Sequence, residues 1–322
     1  MQAVIFERAG RPEEVLAVRE APEPVPGREQ VLIRVEARAI QPADFLFIEG
    51  RYRAKPAFPQ VAGLEGSGRV VACGEGAEGF PAGTRVAFRS TGAWAELALA
   101  PLSRVYPVPP EMPEALACQF ALNPITAWGL LADCSPATSS RLLITAGRSA
   151  VARLLAKLAA RRWVRAFLLV REGSGYAVLK GEGGALLARG ANVAEALGRA
   201  AQATPFHAIL DPVGGPDTLA LMDALAAGGR LVTYGLLDDR ELSLKSSRLL
   251  FKNMTWQGFG VDGWLDRAAP AQIEVARSEL WAMLAEEPGL LPVAAAFPLF
   301  QVSEAIRAVR ESRRPGKVLL TG

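Results

Sequence analysis

At 322 residues the chain is long for one ordinary core and predicts two domains. Half of its residues are hydrophobic, 21% are charged and the net charge is +3, which excludes an intrinsically disordered chain. Its basic residues are scattered, with Arg161-Arg162 and Arg313-Arg314 as the adjacent arginine pairs, so no basic stripe forms a nucleic-acid groove.

Cys73, Cys118 and Cys134 are far apart and odd in number, so a disulfide framework is not expected and a reducing compartment is. With His207 the only histidine, a structural zinc site of Cys or Cys/His type cannot be assembled. The chain begins on a strand-like run instead of a signal-peptide pattern, and no apolar run spans a bilayer. A cytoplasmic protein without membrane or nucleic-acid partners is the expectation.

From Met1 to about Leu116 short strands alternate with Pro/Gly turns: Ala3–Phe6, Val31–Ala37, Gly68–Gly74, Thr84–Phe88 and Trp94–Leu99. Ala21–Gly27 is a proline-rich connector, and Pro42–Glu49 a helical turn. Glu114–Leu131 is rich in Ala and Leu, and Asn123-Pro124 interrupts it. Pro124 suits the first turn of a new helix, with Asn123 as its cap. A strand at Val164–Val170 ends at Arg171. His207 precedes Ala208–Asp211, where it caps or packs a strand. Thr218–Ala227 reads as helix, while Gly229–Gly235 and Met254–Val261 read as strands. Ile273–Leu284 is a further helix. Strands alternating with helices predict a doubly wound parallel sheet. The tail returns to β character at Val293–Phe297 and Lys317–Leu320, as though completing the first domain.

Leu142–Ala160 is the centre of the second half. Leu142, Leu143 and Ile144 form an apolar run, Ala146-Gly147 a turn, and Val151, Leu154, Leu155 and Leu158 one face of a helix. Strand, turn and helix in this order open a dinucleotide-binding fold. In place of the fingerprint G-x-G-x-x-G stand Gly147, Ser149 and Ala152. The Ser149 hydroxyl can donate to phosphate, and Ala150 adds a methyl at the helix start. The backbone N–H groups and helix dipole remain to attract an anion. Arg171, with Glu172 beside it, stands where an arginine accommodates the 2′-phosphate of NADP; the alternative is a solvated strand end. Arg148 is a candidate for the pyrophosphate.

The chain resembles the medium-chain dehydrogenase/reductase superfamily, and within it the zinc-independent 2-enoyl thioester reductases of mitochondrial type and the related quinone oxidoreductases. The resemblance rests on Gln41-Pro-Ala-Asp, Ile48-Glu-Gly-Arg-Tyr52, Gly63-Leu-Glu-Gly and Leu122-Asn-Pro-Ile-Thr-Ala-Trp. Leu169-Val-Arg171, Pro212-Val-Gly-Gly, Val232-Thr-Tyr-Gly, Phe251-Lys, Gly258-Phe-Gly and Gly316-Lys-Val-Leu-Leu add to it. It implies an α/β protein with a GroES-like, mostly β catalytic domain over 1–118, completed by 290–322. A Rossmann NADP-binding domain would cover 119–289. Gln41 and Leu64 fall where zinc enzymes have Cys and His ligands, leaving Glu65, so no metal is expected.

By the same resemblance Tyr52 is the catalytic tyrosine and Trp264 lies near the substrate channel. The cofactor NADPH would meet Asn123, Thr126, Gly147, Arg148, Ser149, Ala150 and Val151. Arg171, Tyr234, Gly235, Phe259, Gly260, Val261 and Lys317 complete that set. The implied activity is NADPH-dependent reduction of the C=C bond of 2-enoyl thioesters, within fatty acid metabolism. An NADPH:quinone or enone reductase is the alternative, and a non-catalytic paralogue with weakened nucleotide binding another. The resemblance also implies a homodimer joined through residues 255–261. Three departures stand out: Ser149-Ala-Val-Ala replaces S-G-V-G, Gly173 replaces a basic residue, and Glu49 replaces a glutamine.

Overall fold

The computed structural model describes residues 1–181, 183–202, 204–311 and 316–322, so the Arg313-Arg314 pair lies outside the described residues. In chain order the first strands are β1 Gln2–Phe6, β2 Ala17–Glu20, β3 Gln30–Ala39, β4 Gln60–Val61, β5 Glu65–Cys73 and β6 Arg85–Arg89. Next come β7 Leu97–Pro101, β8 Val105–Pro107, β9 Arg141–Ile144, β10 Arg165–Glu172, β11 Gly175–Lys180 and β12 Leu186–Gly190. The last are β13 Phe206–Asp211, β14 Leu225–Thr233, β15 Thr255–Gly258, β16 Val293–Pro298 and β17 Lys317–Thr321. One compact unit comprises Met1–Asn123 and Arg277–Gly322, and another Pro124–Ala276.

In the first unit β1 pairs with β2 and β4, and a larger sheet runs β16-β17-β3-β5-β6-β8, with β7 also on β3. Alternation along β3 explains its placement, because Val31, Ile33 and Val35 enter the core while Arg34 faces out. Phe6, Phe47, Phe88 and Trp94 are wholly buried in the same core. Burial of each such ring contributes on the order of 2 kcal/mol. Trp94 precedes β7 and is packed inward, its strand beginning three residues later than the apolar run suggests. Gly63, at φ +93°, lies so close to the Trp94 ring that an added Cβ would stand 2.1 Å from Cδ1. The tail is bound by β17 pairing antiparallel with β3, Leu319 opposite Ala39. Buried Arg38 reinforces it by donating to the carbonyls of Gly322 (2.7 Å), Val35 (3.1 Å), Ala93 (3.3 Å) and Ala95. Burial lowers the Arg38 pKa to about 10, which leaves it charged at neutral pH.

In the second unit one sheet runs β12-β11-β10-β9-β13-β14-β15. β9 is parallel to β10 on one side and β13 on the other, and β14 and β15 continue in parallel. Leu142, Leu143 and Ile144 of β9 are wholly buried, as a strand covered on both faces must be. The helix Ala150–Arg161 packs on β10 through Leu154, Leu155 and Leu158. His207 lies in β13, and its Nδ1 accepts from the Arg141 N–H at 3.1 Å. Among the described residues no helix is long and apolar enough to cross a membrane. The three cysteines are free thiols.

Four expectations need correction. No helix joins β10 to the next strand: β11 turns back antiparallel to β10, and β12 is antiparallel to β11. The helix after Asp217 ends at Ala224, because Leu225 pairs with Phe206 and begins β14. Val261 opens the helix Val261–Arg267 and does not end a strand. Asn123 is the first residue of the helix Asn123–Cys134, and its side chain, expected to cap that helix, bonds elsewhere.

Candidate functional site

In the first unit a buried polar cluster forms around Gln41 and Glu65. Gln41 ends the loop after β3 and precedes the helix Pro42–Ile48. The Ile40 N–H donates to Val318 O at 3.0 Å, which brings the start of β17, and so Lys317, beside Gln41. The Lys317 ammonium donates to Gln41 Oε1, and Asn123 Nδ2 donates to the same oxygen at 3.1 Å. Gln41 Nε2 donates to Glu65 Oε1, and the Leu122 N–H to Glu65 Oε2 at 2.9 Å. The Gln41 N–H donates to Asp44 Oδ2 at 2.6 Å, half of a capping box on the helix.

Asp44 and Glu65 are wholly buried. Burial raises the carboxyl of Asp44 to about 7 and that of Glu65 to about 8. Hydrogen bonds from Gln41 and the charge of Lys317 oppose the rise at both carboxyls. The pair therefore carries extra proton occupancy at neutral pH. Both Glu65 oxygens accept hydrogen bonds. These side chains do not fit a metal ion. Leu64 offers no donor atom, and the Gln41 oxygen already faces an ammonium.

Tyr52 follows the same helix. Gly50, at φ +71°, ends the helix, and the Tyr52 N–H returns to Leu46 O at 2.9 Å. Its phenol oxygen accepts from Arg89 Nη2 at 3.2 Å. Arg89, on β6, is buried and was not singled out by the sequence; an arginine directly after the apolar Val86-Ala-Phe88 was the available signal. The phenol keeps its own hydrogen for a further acceptor. The structure thus brings Asn123 and Lys317 together through Gln41, and Tyr52 to Arg89.

In the second unit the β9–helix turn lies at the sheet's switch point, between the C-terminal ends of β10 and β13. Ala146 takes φ +45°, and the Gly147 N–H donates to Leu169 O at 2.9 Å. A Cβ on Gly147 would stand 2.8 Å from Leu168 Cβ and 2.9 Å from Val170 Cγ1, so the first glycine of the fingerprint is required by packing. Ser149 caps the helix, its Oγ accepting from the Ala152 N–H at 3.2 Å, which leaves the hydroxyl hydrogen to donate. The Ala152 methyl is wholly buried, so helix and sheet close around it. The N–H groups of Ala150 and Val151, in the helix's first turn, have no acceptor within the helix. Arg148 is exposed on the turn. A turn of this shape fits a dinucleotide's pyrophosphate.

Around it, buried Asp211 accepts from Thr145 Oγ1, from the Val213 N–H at 3.1 Å and from the Gly214 N–H at 2.9 Å. Burial still raises its carboxyl above the ordinary range. The Tyr234 N–H donates to Asp211 O at 2.9 Å. The Tyr234 hydroxyl is buried with no hydrogen-bond partner among the described residues, and burial pushes its pKa up. Gly235 lies against Pro212, where a Cβ would stand 2.6 Å from the carbonyl. Phe259, joined to Thr233 O by its N–H at 2.8 Å, packs with Trp264 over Gly129. Gly260 and Val261 begin the next helix, and Thr126 is buried in the helix Asn123–Cys134. Trp264 lines a hollow of about 390 Å³ with Trp128, Asp133 and Gln272. Arg171, at the end of β10, is exposed.

Residues 27–110 match the family described as alcohol dehydrogenase GroES-like domain, and residues 189–320 that described as zinc-binding dehydrogenase. The mitochondrial enoyl-[acyl-carrier-protein] reductase of Bos taurus is 27% identical, over 100% of this chain and 88% of its own. The Arabidopsis thaliana protein of the same description is 29% identical, over 82% and 73%. A crystal structure described as a putative NADPH:quinone reductase from Mesorhizobium loti superposes with a TM-score of 0.86 at 25% identity, covering 100% of this chain and 98% of that one. With a GroES-like unit and a Rossmann-type parallel sheet in one chain, and homologues among the mitochondrial enoyl reductases and the quinone oxidoreductases, the protein belongs to the medium-chain dehydrogenase/reductase superfamily of oxidoreductases.

Proposed function

We propose that the chain is an NADPH-dependent reductase of the C=C bond in 2-enoyl thioesters. The observation that carries this reading is the Tyr52 phenol, held by Arg89 with its own hydrogen available, in a unit whose buried polar cluster does not suit a metal. The full-length likeness to the bovine mitochondrial enoyl reductase supports the substrate class. The reduced nicotinamide supplies a hydride to Cβ of the acceptor. Tyr52 donates a hydrogen bond to the thioester oxygen as it becomes an enolate oxygen, and Arg89 strengthens that donor. Tyr52 or water then delivers a proton to Cα. Ser149, the first-turn N–H groups and Arg148 are assigned to the pyrophosphate, and Arg171 to the 2′-phosphate. Asn123 and Lys317, fixed through Gln41, are assigned to the nicotinamide end, as are Tyr234, Gly235, Phe259, Gly260 and Val261. Trp264 is assigned to the acyl side.

A quinone or enone acceptor is the second reading, favoured by the likeness to the Mesorhizobium loti protein. Turnover of crotonyl-CoA and of a simple benzoquinone with NADPH separates the two. Faster thioester turnover supports the first reading, and turnover of the quinone alone refutes it. Absence of NADPH binding would leave a non-catalytic paralogue. The proposal includes a homodimer, because β15 is an edge strand of its sheet and Leu250 and Phe251 beside it are exposed.

A further inference from the structure

The hairpin that replaces a crossover helix has a consequence for the nucleotide. A parallel neighbour of β10 would begin at the far end of the sheet. An antiparallel neighbour begins where β10 finishes, at the edge where doubly wound sheets take their ligands. Gly173, at φ +59°, makes the turn, and β11 delivers Tyr176 directly opposite Arg171. Cross-strand partners project from the same face of a sheet. Arg171 Nη2 accordingly donates to Tyr176 Oη at 3.3 Å, and the guanidinium lies 5.8 Å from the centre of the ring. Both side chains line a cavity of about 190 Å³ with Thr145, Ala146, Asp211 and Asp217.

We propose that Tyr176 is a specificity-determining residue which, with Arg171, forms a subsite for the 2′-phosphorylated adenosine of the cofactor. This rests on the reading that the Thr145–Ala150 turn holds a pyridine dinucleotide. The phenol oxygen accepts from Arg171 and its hydrogen donates to a phosphate oxygen, so phosphate meets a charged fork and a neutral donor together. The ring offers an apolar face to the adenine. The hairpin also removes an obstacle. Glu172, whose carboxylate would repel a phosphate, is closed by Arg189 of β12 through Nε to Oε2 at 2.6 Å and Nη2 to Oε1 at 3.1 Å. Asp217 is the opposing acid: it lines the same cavity, and its charge adds to the rise of the Arg171 pKa behind the larger effect of Tyr176. Part of the Arg171 charge is therefore offset, and a second donor decides the balance between phosphate and hydroxyl.

The test is calorimetric titration of the full chain and of Tyr176→Phe and Tyr176→Ala with NADPH, NADH and adenosine 2′,5′-bisphosphate. Tyr176→Phe keeps the ring, and is expected to weaken NADPH and the bisphosphate about tenfold with NADH unchanged. Tyr176→Ala is expected to weaken all three, because the adenine loses its face. Equal NADPH affinity for wild type and Tyr176→Phe, or equal losses for NADPH and NADH, overturns the subsite. Tighter binding of NADH than NADPH by the wild type also overturns it, placing Asp217 at the ribose while sparing the dinucleotide reading. Failure of the wild type to bind any of the three overturns that reading, and the subsite with it.

Discussion

Replacing Tyr52 by Phe removes one oxygen atom and leaves the rest of the site in place. The backbone is fixed by the bond from the Tyr52 N–H to Leu46 O, and the ring is partly buried against the core of the first unit. Loss of one donor to a developing oxyanion costs about 2.7–4 kcal/mol, or about 10²–10³ in kcat. Arg89 reduces that figure here. Its Nη2 stands 3.2 Å behind the phenol oxygen, so once the oxygen is gone a guanidinium hydrogen points toward the vacated place. The expected loss is the lower bound, about 100-fold in kcat with KM changed little, since the interaction matures in the transition state. Arg89→Met alone should cost less, and the double variant more than the two losses combined, because each donor substitutes for the other. Steady-state turnover of a crotonyl thioester with NADPH measures all three. Folding is checked separately, and loss of one hydrogen bond to a charged partner should cost about 1.5–3 kcal/mol. A Tyr52→Phe enzyme with kcat within twofold of wild type refutes the assignment.

Arg171→Ala should weaken NADPH about tenfold and NADH hardly at all, the exposed position keeping the loss small, as titration will show. Gly147→Ala places a methyl 2.8 Å from Leu168 Cβ, so the turn must lift from β10; a loss of about 1–3 kcal/mol in urea denaturation is expected, with weaker nucleotide binding. Arg38→Met deprives three buried carbonyls, and that of Gly322, of their donor, and should cost about 3 kcal/mol or more in the same assay. The raised carboxyls of Asp44 and Glu65 bind protons more tightly in the folded chain than in the unfolded one, where their pKa is about 4. Their contribution to stability is thus fully present below about pH 4 and is lost as pH rises through about 7 and about 8. Glu65→Gln should flatten that slope, and an unchanged slope would refute the assignment.

Local patterns were the legible part of this chain. The alternation of Val31, Ile33 and Val35 placed β3, and the run Leu142–Ile144 followed by a glycine turn placed the switch point. The hairpin was legible in principle, since Gly173-Ser-Gly175 between two apolar runs is a turn signal. The second run, Tyr-Ala-Val-Leu, is too short to declare a period by itself. Leu225–Ala227 suits helix or strand equally, and only pairing with the distant Phe206 decides between them. Arg89 beneath Tyr52 and Lys317 on Gln41 are contacts across 37 and 276 residues, which no local pattern encodes.

The buried cluster bears on which chemistry the first unit can support. Oxidising an alcohol requires an alkoxide, which a metal cation or a strong base must stabilise. The cation that stands here is the Lys317 ammonium, and Gln41 Oε1 and the neighbouring acids already occupy it. Glu65, with both oxygens bonded, is poorly placed to act as a base. Conjugate reduction asks for less. The charge arriving with the hydride spreads onto a carbonyl oxygen, and one well-aligned neutral donor stabilises an enolate without a full cation beside it. Tyr52, backed by Arg89, is the donor that the proposed reaction would use. A hydrogen-bonded cluster of Gln41, Lys317, Asn123 and Glu65 therefore favours an activated double bond over an alcohol as substrate, whichever carbonyl the acceptor carries.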